Sequence, residues 1–105
     1  MSHLLIITTT PDLAAAEAIA EGLIQNNLAA CVQVQPQGKS FYRWQGKVES
    51  SAEHALFIKT TDSAYGKTEQ YIQEHHPYDV PEIIAVKIDR GLSPYLSWIN
   101  EEVNS

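Results

Sequence analysis

Between Leu28 and Thr61 runs LAACVQVQPQGKSFYRWQGKVESSAEHALFIKTT, a stretch in which apolar residues never recur at helical spacing. Two extended runs flank Trp44-Gln45-Gly46-Lys47, and a glycine between strand-forming residues predicts a β-hairpin. Pro36 to Gly38 predicts a kink or bulge in its first strand. Strands in a sheet of ordinary size have about five or six residues. These runs are roughly twice as long, so the far end of the hairpin must project beyond the sheet. A projecting ribbon leaves N–H and C=O groups unpaired along its edges, which invites pairing with another chain. Alternation along SFYRWQGK puts Phe41 and Arg43 on one face and Tyr42 and Trp44 on the other, so aromatic surface is displayed on both sides. The prediction is a homo-oligomer in which each arm packs against, or adds to, a neighbour's sheet. Cyclic closure would remove the open edges.

The rest of the chain supplies the sheet that the hairpin joins. LLIITTT, residues 4 to 10, is apolar and β-branched with no polar alternation before its threonines, which predicts a central strand. Thr10-Pro11-Asp12 reads as a helix start, with Thr10 as N-cap and Pro11 at the first helical position. Leu13, Ala16, Ala20, Leu23 and Ile24 predict an apolar stripe, and Asn26-Asn27 a left-handed stop. A second helix follows Thr61-Asp62, carries Tyr65, Thr68 or Glu69, and Ile72, and ends near His75 because Pro77 cannot continue it. EIIAVKID is the last strand, and SPYLSWINEEV a closing helix capped by Ser93 with Pro94 behind it. The order β-α-β-β-α-β plus a terminal helix is the split βαβ pattern of an α+β, ferredoxin-like fold, with four antiparallel strands and both main helices on one face. A length of 105 residues predicts a single domain over 1–105.

Charge and motifs narrow the function. Thirteen acidic residues outweigh seven basic ones for a net charge of −6, and the basic residues form no stripe. Neither nucleic acid nor an anionic membrane surface is predicted as a partner. The start, MSHLLIITTTPD, is far short of the roughly 20 apolar residues of a membrane span. With Cys31 as the single cysteine, the prediction is a cytoplasmic protein. GxSxG, HExxH and phosphate-loop motifs are absent, Cys31 has no assignable base, and TTTPDLA lacks the arginine of an acylphosphatase loop. The chain therefore reads as non-enzymatic.

HHPYDVPE, residues 75 to 82, is the densest cluster of chemistry. Imidazoles of His75 and His76 suit copper, zinc or nickel. Adjacent helical residues nevertheless point about 100° apart, and His76 precedes Pro77, so the rings should splay. A metal would then need ligands from a neighbouring chain. The alternative is that the pair ends the helix, where an imidazolium complements the dipole. Glu82, at the head of an apolar strand, is costly to bury unless paired, and Lys59 is the cation expected to pair with it. Around them, Tyr42, Trp44, Tyr78 and Trp98 would line a cleft between subunits. Such a cleft either anchors the interface or holds a small polar ligand. Cys31 is expected to be buried and inert, His3 to be idle at the chain start, and His54 to lie on a solvated face.

Five blocks, LAACVQV, SFYRWQGKVE, LFIKT, HHPYDVPEI and YLSWI, follow in this order over nearly the whole chain. Together they resemble the CutA divalent-cation tolerance family. The resemblance implies a ferredoxin-like subunit in a tight homotrimer, similar in architecture to the PII signalling proteins, and a response to metal ions, with Cu²⁺ or another divalent metal as the bound ion. It places metal ligands at the histidine pair and at a cysteine late in the first strand. Here that last position is Thr8, which removes the soft ligand that would favour Cu(I). A PII-like module with a small anion or metabolite in its inter-subunit cleft, and a trimeric scaffold for another protein, are the two other readings.

Overall fold

The computed structural model describes residues 2–103. Strand β1 (His3–Thr10) is central, as its apolar run predicts. It pairs antiparallel on one side with β4 (Lys47–Thr61) and on the other with β5 (Ile83–Lys87), while β2 (Cys31–Val34) borders β4. The spatial order β2-β4-β1-β5 is that of the split βαβ pattern. Helices α1 (Leu13–Gln25) and α2 (Tyr65–His75) cover one face, where Ile6, Leu56 and Ile58 of the sheet meet Ile19, Leu23 and Ile72 of the helices. Each of these side chains is fully buried, worth about 1.5–3 kcal/mol apiece relative to exposure.

Helix boundaries depart from expectation by small, explicable amounts. The N-cap of α1 is Asp12 rather than Thr10: its carboxylate accepts the Ala15 N–H at 2.7 Å. Thr10 is still in the ladder of β1, and its hydroxyl donates to the Asp12 carbonyl at 3.0 Å. The buried stripe is Ala16, Ile19 and Leu23, whereas Leu13 and Ile24 remain exposed because the sheet meets the helix along that i, i+3, i+7 line. Asn27 has φ 57°, the predicted left-handed stop. At α3 (Ser93–Glu102), Leu92 rather than Ser93 holds the cap position, with no side-chain bond.

Helix α3 lies over the other face of the sheet, at one end only. Ile99 and Val103 pack with Ala30 and Ala64 in a second small core. His3, far from idle, is buried there and donates through Nε2 to Asn100 Oδ1 at 2.9 Å. Beyond α3 the same face is uncovered. Register puts Leu5 beside Val86, and Ile7 between Phe57 and Ile84. Ile84 is 51% exposed and Val86 52%.

The hairpin forms as predicted. Among the described residues, strand β3 (Gly38–Trp44) pairs with β4 alone, from Gly38 opposite Glu53 to Trp44 opposite Lys47. Gln45 and Gly46, at φ 50° and 80°, supply the two left-handed residues that a two-residue hairpin turn of this hand requires. The strand breaks between Val34 and Gly38, and the break is held from β4: Gln35 N–H donates to the Ala55 carbonyl at 2.8 Å, and His54 Nδ1 donates to the Gln35 carbonyl at 2.9 Å. His54 is thus half-buried at the junction and not on a solvated face. The arm stretches the molecule to 45 Å against 25 and 23 Å across.

Candidate functional site: an acidic aromatic groove at the root of the arm

Pro77 ends α2 and throws His76 into extended geometry, φ −86° and ψ 140°. The side chain turns inward. Its Nδ1 accepts the Tyr78 N–H at 3.0 Å, and its Nε2 lies 2.7 Å from the Thr9 carbonyl, which can only accept. Nε2 therefore carries the proton, and both ring nitrogens are spent. His75 points elsewhere, as adjacent positions on a helix must. Its Nδ1 donates to the Tyr71 carbonyl at 2.8 Å and its ring stacks on that of Tyr71, centroids 4.0 Å apart at 19°. Tyr71 in turn reaches over Gly22, where a Cβ would come within 1.8 Å of the phenol oxygen. His75 Nε2 keeps its lone pair, exposed on the surface.

Those details decide how far the chain alone fits a divalent metal. His76 has no free nitrogen, Thr8 is fully buried beneath the helices with Oγ1 unpartnered, and His75 offers a single lone pair. Among the described residues no three of His, Cys, Asp and Glu come together as ligands. The described residues do not complete a metal site within the chain.

Instead, the loop after α2 closes a groove of about 1060 Å³ against the arm. β3 contributes Tyr42 and Trp44, β4 contributes Glu53, β1 contributes Thr9, and the loop contributes Tyr78, Asp79 and Glu82. The Tyr78 hydroxyl donates to Glu53 Oε2 at 2.9 Å. Burial first, and then that bond and the carboxylate's charge, push the Tyr78 phenol up to about 12. The ring of Tyr78 also rests against His76, centroids 5.1 Å apart, so His76 sets the loop from behind.

Of the six residues expected in a cleft, Tyr42, Trp44, Tyr78 and Glu82 share this groove. Lys59 does not, and the predicted Lys59–Glu82 pair does not form within the chain. Lys59 lies opposite Leu5 and Cys31, donates to Gln33 Oε1, and sits 4.0 Å from Cys31 Sγ. Glu82 precedes Ile83, which lies opposite Thr8, three positions along β1 from Leu5, or about 10 Å at about 3.3 Å per residue. Trp98 is on α3, tilted against Tyr95 at 5.5 Å. Cys31 is half-buried rather than sealed; burial, and then the neighbouring thiol, raise the phenol of Tyr95 above its ordinary range. Glu53 and Asp79 were not anticipated. Glu53 was within reach: counting pairs back from Gln45-Gly46 puts it opposite Gly38, on the face of Tyr42 and Trp44.

Sheet order, the one-sided helix layer, the long arm and the groove at its root define a ferredoxin-like α+β chain of a very particular build. The sequence profile described as "CutA1 divalent ion tolerance protein" matches residues 4–102. The chain belongs to that family. A CutA homolog of Xenopus laevis is 43% identical over 95 residues, 90% of this chain but 63% of that protein, so the chain spans less than two-thirds of its length. The divalent-cation tolerance protein CutA of Thermus thermophilus is 42% identical over 91% of this chain and 93% of its own. The crystal structure of CutA from Xylella fastidiosa superposes with a TM-score of 0.96 at 44% identity, covering 99% of this chain and all of that one.

Proposed function

We propose that the chain acts in divalent-cation tolerance as a non-enzymatic homotrimer. One observation carries this: the uncovered apolar face of Leu5, Ile7, Phe57, Ile84 and Val86 continues into an arm whose β3 has a free edge. Both the face and the edge are satisfied by further copies of the same chain, and closure into a ring leaves no edge to propagate. The groove then lies at the rim of the shared surface. Sedimentation equilibrium should return three times the 11.7 kDa chain mass; a stable monomer at micromolar concentration overturns the assembly. The cytoplasm is the compartment that a lone half-buried cysteine favours.

Metal enters this reading at His75, the one imidazole of the pair with a nitrogen to give, with further ligands supplied across the junction by a neighbouring copy. Cu²⁺ is the ion to test. Calorimetry should show heat lost in His75→Ala and retained in His76→Ala, whose cost falls on stability because it strands the Tyr78 N–H and the Thr9 carbonyl. Equal binding by the native chain and the double variant removes metal from the pair. A second reading, a PII-like module holding a small ligand, is favoured by the groove itself, although its carboxylates oppose an anion.

A further inference from the structure

We propose that the groove at the root of the arm binds a small organic cation, an alkylated ammonium group seated among Tyr42, Trp44 and Tyr78 and facing Glu53, Asp79 and Glu82. Among the described residues no lysine or arginine lines the groove, and three carboxylates do. An anion is repelled there. A bare metal ion suits it poorly as well, because no three of its carboxylates gather as ligands among the described residues. A neutral apolar occupant would gain from the aromatic rings but would strip water from the carboxylates without replacing their partners. An ammonium ion carrying methyl groups meets both demands. Its charge faces the carboxylates, and its methyl surface lies on aromatic faces that attract cations. The Tyr78–Glu53 bond occupies one oxygen of that carboxylate and holds the residue in place, so part of the site is set before a ligand arrives.

The proposal depends on the homotrimer reading only in that the groove must stay open in the assembled protein. Its test is a fluorescence titration of the full chain with choline and with 3,3-dimethylbutan-1-ol, which has the same shape and no charge. The chain has two tryptophans, Trp44 in the groove and Trp98 on α3, so the signal can be assigned. Choline should give a saturable change that persists in Trp98→Phe and disappears in Trp44→Phe. The neutral isostere should bind at least about tenfold more weakly. Glu53→Gln and Glu82→Gln should each weaken choline by about three- to tenfold and leave the isostere unaffected. Equal affinity for the two probes, no saturation by choline, or choline affinity unchanged in both carboxamide variants overturns the proposal. The comparison of probes on the native chain decides even if a variant fails to fold. A trimer that ignores choline sinks this inference and spares the assembly; a monomer that binds choline does the reverse.

Discussion

One strand, β4, runs through two very different regions of the molecule. From Leu56 to Lys59 it is flanked by β1 and β2 and roofed by helices, and Leu56 and Ile58 are fully buried. From Lys47 to Glu53 it has β3 alone, and Val48 is 69% exposed. Both halves have strand-forming residues and both form ladders. One partner strand fixes the ladder but leaves the outer edge of each arm strand unpaired, whereas burial needs a second layer, and only the body has one within the chain. The arm is therefore a complete local structure and an incomplete tertiary one, and the groove lies where the two regions meet.

The sharpest way to break this contrast is to excavate each half. Ile58→Ala should cost about 2–5 kcal/mol in urea unfolding, since it opens a cavity in a sealed core. Phe41→Ala on the arm, at a residue 71% exposed within one chain, should cost far less in the dissociated chain. Equal costs would mean that the arm carries the body's stability. A smaller effect tests whether the arm is a unit of its own: Gly46→Val, at φ 80°, forces a β-branched residue into left-handed geometry at about 1–2 kcal/mol. Amide exchange should quicken along β3 and the facing part of β4 and stay unchanged in β1. The smallest effect concerns their junction. Tyr78 holds its proton more tightly folded, at about 12, than an unfolded tyrosine does at about 10. Its contribution is present below about pH 10 and is lost as pH rises through about 12. In Tyr78→Phe the fall in urea midpoint over that window should be shallower. It should not vanish, because the Glu69 hydrogen bond raises the Tyr65 phenol as well. An unchanged slope would detach Tyr78 from Glu53.

The architecture was legible from strand runs, helix periods and stop signals, and so was the hairpin, down to its turn residues. Local chemistry sufficed there, because a proline, an asparagine or a Gln-Gly pair acts on its own backbone. What misled was geometry between elements. His3 looked idle because nothing nearby in the chain needs it; its partner, Asn100, is 97 residues away. Lys59 and Glu82 looked like a pair because their charges are opposite, but strand register separates them. Within the groove, Tyr42, Trp44, Tyr78 and Glu82 were anticipated as a group, while Asp79 gave no signal beyond its place in the loop.

Read alone, the order of residues established which segments are strands and helices, where each stops, and that a ribbon would outrun its sheet. These follow from steric preferences acting over a few residues. Folding in three dimensions settled matters of a different kind: which face of the sheet stays bare, which histidine nitrogen keeps a lone pair, and which carboxylates gather beside Trp44. Those depend on distances between side chains far apart in the chain, and only the packed sheet sets them.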